Sequence, residues 1–151
     1  MAQLQKYKED SILFVEGGFI AASMADEDAA LKLFRASQLL EPENELVKIG
    51  FGYIHLLKLE LKQASDQFEG VLKKNPKNEM ARALLGLSIA FTTKDADKGE
   101  KLLEEARKNS DDAQVKTMAA TGIDFINKFI RKAPTPAQGA TEGKKKKGKK
   151  E

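Results

Sequence analysis

Cysteine and tryptophan are absent from this sequence, histidine occurs once and proline four times. Without cysteine there is no disulfide framework, no thiolate metal site and no cysteine nucleophile. The lone His55 cannot form a His-cluster metal site and makes an acid–base triad a poor expectation. Gly-rich phosphate loops and the HExxH and GxSxG strings are missing as well. The chain is therefore expected to be no enzyme, with no catalytic residue, no metal site and no cofactor. Long apolar runs are also lacking. The richest stretch, Ala83 to Phe91, already includes Ser88 and is far short of the ~20 residues that span a bilayer. The first ten residues hold no apolar core of a signal peptide. A cytoplasmic protein with no membrane span is the expectation.

What the sequence does hold is charge and enough apolar residues for a core. The 151 residues have room for one ordinary domain, and 41% of them are apolar. The formal charge of +3 is unevenly placed. Residues 133–151 carry six lysines, Lys144 to Lys147 with Lys149 and Lys150, against Glu142 and Glu151. Residues 1–132 keep 20 basic and 21 acidic side chains, so the body is near neutral. The terminal stretch has almost no side chain able to enter a core and is expected to be a disordered Lys-rich tail. Its lysines suit only weak, salt-labile contact with nucleic acid. The domain is expected over residues 1–132.

Within the body, Gly18, Gly52 and Gly86 are each 34 residues from the next, and Pro42 and Pro76 have the same offset. So do Ala30 and Ala64, Phe34 and Phe68, and Asn44 and Asn78. The string Ala-x3-Phe-x7-Pro therefore occurs twice in one phase. The third copy keeps Gly86 and then needs one inserted residue, which puts Gly99, Leu103 and Ala106 on the buried stripe. The pattern predicts helices over 8–24, 28–40, 44–58, 62–74, 78–92, 96–108 and 112–131. Pro42 and Pro76 stop the second helices of their units, and Asn44 and Asn78 stand where N-caps belong.

In period, and in its Gly, Ala, Phe and Pro positions, the chain resembles the tetratricopeptide repeat. The implied fold is all-α, a right-handed superhelix of about three helix pairs with a C-terminal capping helix. Units are expected at about 11–44, 45–78 and 79–112, with the cap at 112–131. In such a stack the first helices line a concave groove. The lining positions here include Ile12, Val15 and Phe19, then Leu46, Ile49, Tyr53, Leu56 and Leu57, then Met80, Leu87 and Phe91. With Ala22, Ser23, Ala83 and Ala90, fourteen of fifteen lining positions are apolar or tyrosine, and none is charged. Helix 44–58 is apolar almost all round, which implies burial all round. An amphipathic helix or an apolar extended segment laid along the groove is the expected ligand. The alternative occupants are the chain's own N-terminal segment, its capping helix, or a second copy in a homodimer when unliganded. His55 falls at the repeat's tyrosine position and is expected to pack there, hydrogen-bonded at one edge.

Three units on a small body, an apolar groove and a weakly related third unit with a cap are similar to the chaperones of the bacterial type III secretion needle subunit. That resemblance implies a non-enzymatic chaperone. It would sequester an apolar helix of a small secreted, polymerising protein and so prevent premature polymerisation, with a small helical co-chaperone against its N-terminal unit. Chaperones of secreted translocator proteins share the three repeats and are the alternative. A repeat scaffold using the lysine tail on nucleic acid is a third.

Overall fold

In the computed structural model, residues 2–92 and 94–131 are described, and every regular element among them is helical. A short helix α1 (Ala2–Gln5) and one 3-10 turn (Lys8–Asp10) lead into α2 (Ser11–Ser23). There follow α3 (Glu27–Leu40), α4 (Glu45–Leu57), α5 (Leu61–Lys74), α6 (Glu79–Ala90), α7 (Ala96–Asn109) and α8 (Ala113–Phe125). A π-helical turn, Ile126–Ile130, continues α8. These seven longer helices match the spans the sequence predicts. Two details differ. Residues 8–10 form the tight turn rather than the first turn of α2, and the last helix widens after Phe125 instead of running on as α-helix to 131. The lysine tail lies outside the described residues.

The helices pack in consecutive pairs, α2 with α3, α4 with α5 and α6 with α7, and α8 closes against α6 and α7. The first helices also touch in series, α2 with α4, α4 with α6 and α6 with α8. Each boundary has a local cause. Asp26, Asn44, Asn78 and Asp112 accept hydrogen bonds from the backbone N–H of Ala29, Leu46, Ala81 and Gln114 at 2.7–3.0 Å, satisfying donors the helix leaves free. Helices α2 and α4 end alike. Ala25 and Leu59, 34 residues apart, both take left-handed backbone at φ 61° and 58°. The following N–H groups of Asp26 and Glu60 reach back to the carbonyls of Ala21 and His55 at 2.9 Å, the bond pattern of a Schellman end. The 34-residue period is thus present in the backbone as well as in the side chains.

The core is built on the repeated positions. Ala30, Phe34, Ala64 and Phe68 are fully buried. A Cβ placed on Gly18 or Gly50 would come within 2.5–2.6 Å of the Phe34 ring, and one on Gly52 within 2.6 Å of the Phe68 ring. Phe34 therefore sits between α2 of its own pair and α4 of the next. The third pair is built differently. With Gly99 and Leu103 in place of Ala and Phe, a Cβ on Gly99 would lie 2.6 Å from the Gly86 carbonyl oxygen. Backbone packs on backbone there because no aromatic ring fills the gap. Leu103 and Ala106 are fully buried, so the inserted residue gives the right phase.

Candidate partner-binding face

The face formed by the first helices is where the sequence places its candidate site, and the structure divides those eleven residues into three groups. Val15, Ile49 and Leu56 are buried, at 2%, 0% and 7% exposure. Val15 joins Phe34 and Val47 in one core cluster, while Ile49 and Leu56 join Phe68 and Leu84 in another. These three are structural residues between helices and are withdrawn from the lining. The cause is that α4 has neighbours in α2, α3, α5 and α6, so the stack itself consumes most of that helix's apolar surface.

Phe19, Leu46, Tyr53, Met80, Leu87 and Phe91 are half-buried, and all pack against the core cluster built on Ile49 and Phe68. Phe19 links two units, with its ring 5.2 Å from Phe34 and 5.7 Å from Tyr53. The chain's own last helix accounts for part of this burial. A Cβ on Gly122 of α8 would meet Leu87 at 2.7 Å, and Phe125 meets Phe91 edge-on at 5.5 Å. The cap thus takes the end of the face belonging to α6. Ile12 and Leu57 stay open, at 45% and 48% exposure.

Residues that the sequence reading left out extend the same face. Phe125 and Phe129, with tilted rings 5.0 Å apart, add exposed aromatic surface beside Phe91. Their spacing of four residues marks one side of a helix and was the available signal. Beside Leu57 lies a cavity of about 250 Å³ lined by Ala22, Ser23, Ala25, Glu27, Ile54, Leu57 and Lys58. Its floor is apolar and its rim is an ion pair, with Lys58 Nζ 3.1 Å from Glu27 and 3.2 Å from Glu60. Those hydrogen bonds, to Glu27 and then to Glu60, raise the Lys58 pKa and keep the ammonium charged.

His55 packs half-buried with Nδ1 2.5 Å from Glu60 Oε2. Hydrogen bonds from His55 and Lys58 hold the Glu60 carboxyl below its ordinary pKa. Among the described residues there is no group of three His, Asp or Glu side chains placed to hold a metal ion, and no helix is long and apolar enough to cross a membrane. What this face offers is apolar contact, in which each Leu-sized side chain taken from water contributes about 1.5–3 kcal/mol. Compared with known proteins, the chain matches no family model, no curated protein and no solved structure. Its own residues carry the functional argument.

Proposed function

We propose that this chain is a non-enzymatic adaptor of the tetratricopeptide-repeat kind that holds an apolar helix of a partner against its first helices. The observation that carries this is the half-open apolar run from Ile12 and Phe19 through Tyr53 and Leu57 to Phe91 and Phe125. It crosses all the helix pairs and has no charged side chain at the lining positions. Supporting the repeat assignment are the matched glycine, phenylalanine and cap positions and the paired left-handed residues at 25 and 59. The finer reading is chaperoning of a type III secretion needle subunit. An amphipathic helix cannot lie on this face and pack into a fibre through the same side chains, so binding prevents polymerisation. The burial of Val15, Ile49 and Leu56 narrows the docking surface to its open edge and the cavity beside Leu57.

Co-expression with the needle subunit of the same genome should give a discrete complex. Leu57→Glu should weaken that complex by tenfold or more while leaving helical circular dichroism intact, since Leu57 is 48% exposed. Indifference of the wild-type chain to the subunit, or full affinity in the Leu57 variant, would remove the chaperone reading.

A further inference from the structure

The two ends of the helix stack are chemically unlike. At the C-terminal end, α8 and the π-turn after it expose Lys116, Thr117, Thr121, Asp124 and Lys128 together with Phe125 and Phe129. At the N-terminal end, α2 turns out Leu13 and Ile20, each 62% exposed, and Met24, 76% exposed. With Gly17 these residues stand at i, i+4, i+7 and i+11, a single stripe along the helix. The repeat shows what such a stripe is built for. Thirty-four residues further on, Leu13 and Ile20 correspond to Val47 and Ile54, which are 1% and 5% exposed. In the next unit they correspond to Ala81 and Ser88, both fully buried. Inside the stack, then, this surface is the joint between one unit and the unit before it. The segment before α2 does not cover it, since Leu13, Ile20 and Met24 stay exposed beside it.

Gly17 gives a second, independent indication. Glycine in a helix interior is disfavoured relative to alanine, so it needs a steric reason. Gly18 has one, because a Cβ there would lie 2.6 Å from Phe34. A Cβ on Gly17 would meet only Leu33, at an ordinary 3.4 Å. No neighbour among the described residues requires glycine at 17. A helix crossing closely over the stripe would.

We propose that this stripe is a homodimer interface, in which α2 crosses its copy in antiparallel fashion at Gly17. The stripe is self-complementary about that point. Leu13 lies four residues before Gly17 and Ile20 three after it, so a two-fold axis at Gly17 sets Leu13 of each copy against Ile20 of the other. A two-fold contact uses the same patch on both copies, so association closes at two copies instead of growing into a filament. The near-equal 20 basic and 21 acidic side chains of residues 1–132 set up no net repulsion between bodies. Glu16 flanks the stripe and is exposed. Leu13, Gly17 and Ile20 do not line the cavity beside Leu57, so the joint stands whether or not a helix binds there.

The test is sedimentation velocity on the full chain across a concentration series up to high micromolar. The wild type should sediment as a dimer. Leu13→Glu with Ile20→Glu should raise the dissociation constant by at least a hundredfold, with unchanged helicity, because both positions are exposed. Gly17→Ala should act in two opposite directions, raising the thermal midpoint of the monomer while weakening the dimer at least tenfold. Leu57→Glu should leave the dimer untouched. A wild-type monomer at every concentration would overturn the proposal and leave the stripe to a different protein. A dimer broken by Leu57→Glu but not by the Leu13 and Ile20 changes would overturn it as well.

Discussion

Phe34 shows how single residues hold this molecule together. Its ring is fully buried and is met by the Cβ-less Gly18 of α2 and Gly50 of α4. A new methyl group at either position would press on a ring that already packs against Phe19 and Phe51. Gly50→Ala should therefore destabilise the chain by about 1–3 kcal/mol through overpacking, despite alanine's better helix propensity. Gly70 is the control. It lies exposed within α5 with nothing within 4 Å of a built Cβ, so Gly70→Ala should stabilise by roughly 0.5–1 kcal/mol. Urea unfolding of the two variants should shift the midpoint in opposite directions. A shift of the same sign would mean that propensity and not packing governs Gly50.

At the scale of helices, the caps do more than end an element. Asn78 caps α6 through Ala81 and also donates to Glu45 at the start of α4, at 2.7 Å; Asn75 donates to the same carboxylate at 3.0 Å. Asn44 caps α4 but gives its amide only to nearby Glu41. Loss of a cap costs about 1 kcal/mol, and Asn78→Ala should exceed Asn44→Ala because it also unties two helix starts. Equal losses in chemical denaturation would deny the tie any weight. Charge pairs predict an acid limb. Glu60, hydrogen-bonded by His55 and Lys58, and Glu43, hydrogen-bonded by Lys74, both have lowered carboxyl pKa values. A carboxylate depressed on folding adds stability that is complete above its unfolded pKa, about 4.3, and disappears as pH falls through the folded value. Unfolding midpoints should thus fall on acidification below about pH 5, and Glu60→Gln should flatten part of that slope. An unchanged slope in the variant would remove Glu60 from the account.

Across the whole molecule, stability is set by how the stack is closed at its ends. At one end Ile126, fully buried, anchors the π-turn among Ala83, Ala90, Leu103 and Val115. Arg131 then ties that turn to Asp97 at 2.6 Å and to Glu100 on α7. Ile126→Ala should cost about 2–5 kcal/mol. By loosening α8 it should also bare Leu87 and Phe91, which an increase in binding of an apolar dye before global unfolding would register. Loss of stability without added dye binding would show that the cap repacks in place. The opposite end has no comparable closure, and the exposed Leu13, Ile20 and Met24 mark it.

The sequence by itself determined the helices, their order and their phase. Period, proline stops and cap residues act within a few positions of the chain, and the glycine and phenylalanine positions name the contacts within each pair. Even the one-residue insertion before Gly99 was legible from the buried stripe it restores. Which apolar side chains remain open was decided only by the tertiary structure. Leu56 and Leu57 are neighbours on one apolar helix, yet one is 7% and the other 48% exposed. Hydrophobicity records only that a side chain avoids water. Whether it is covered by α8, by the next pair or by nothing in the chain depends on where helices distant in sequence come to lie. That is why Val15, Ile49 and Leu56 read as lining but pack as core, and why Phe125, Phe129 and the α2 stripe emerged only from the packed chain.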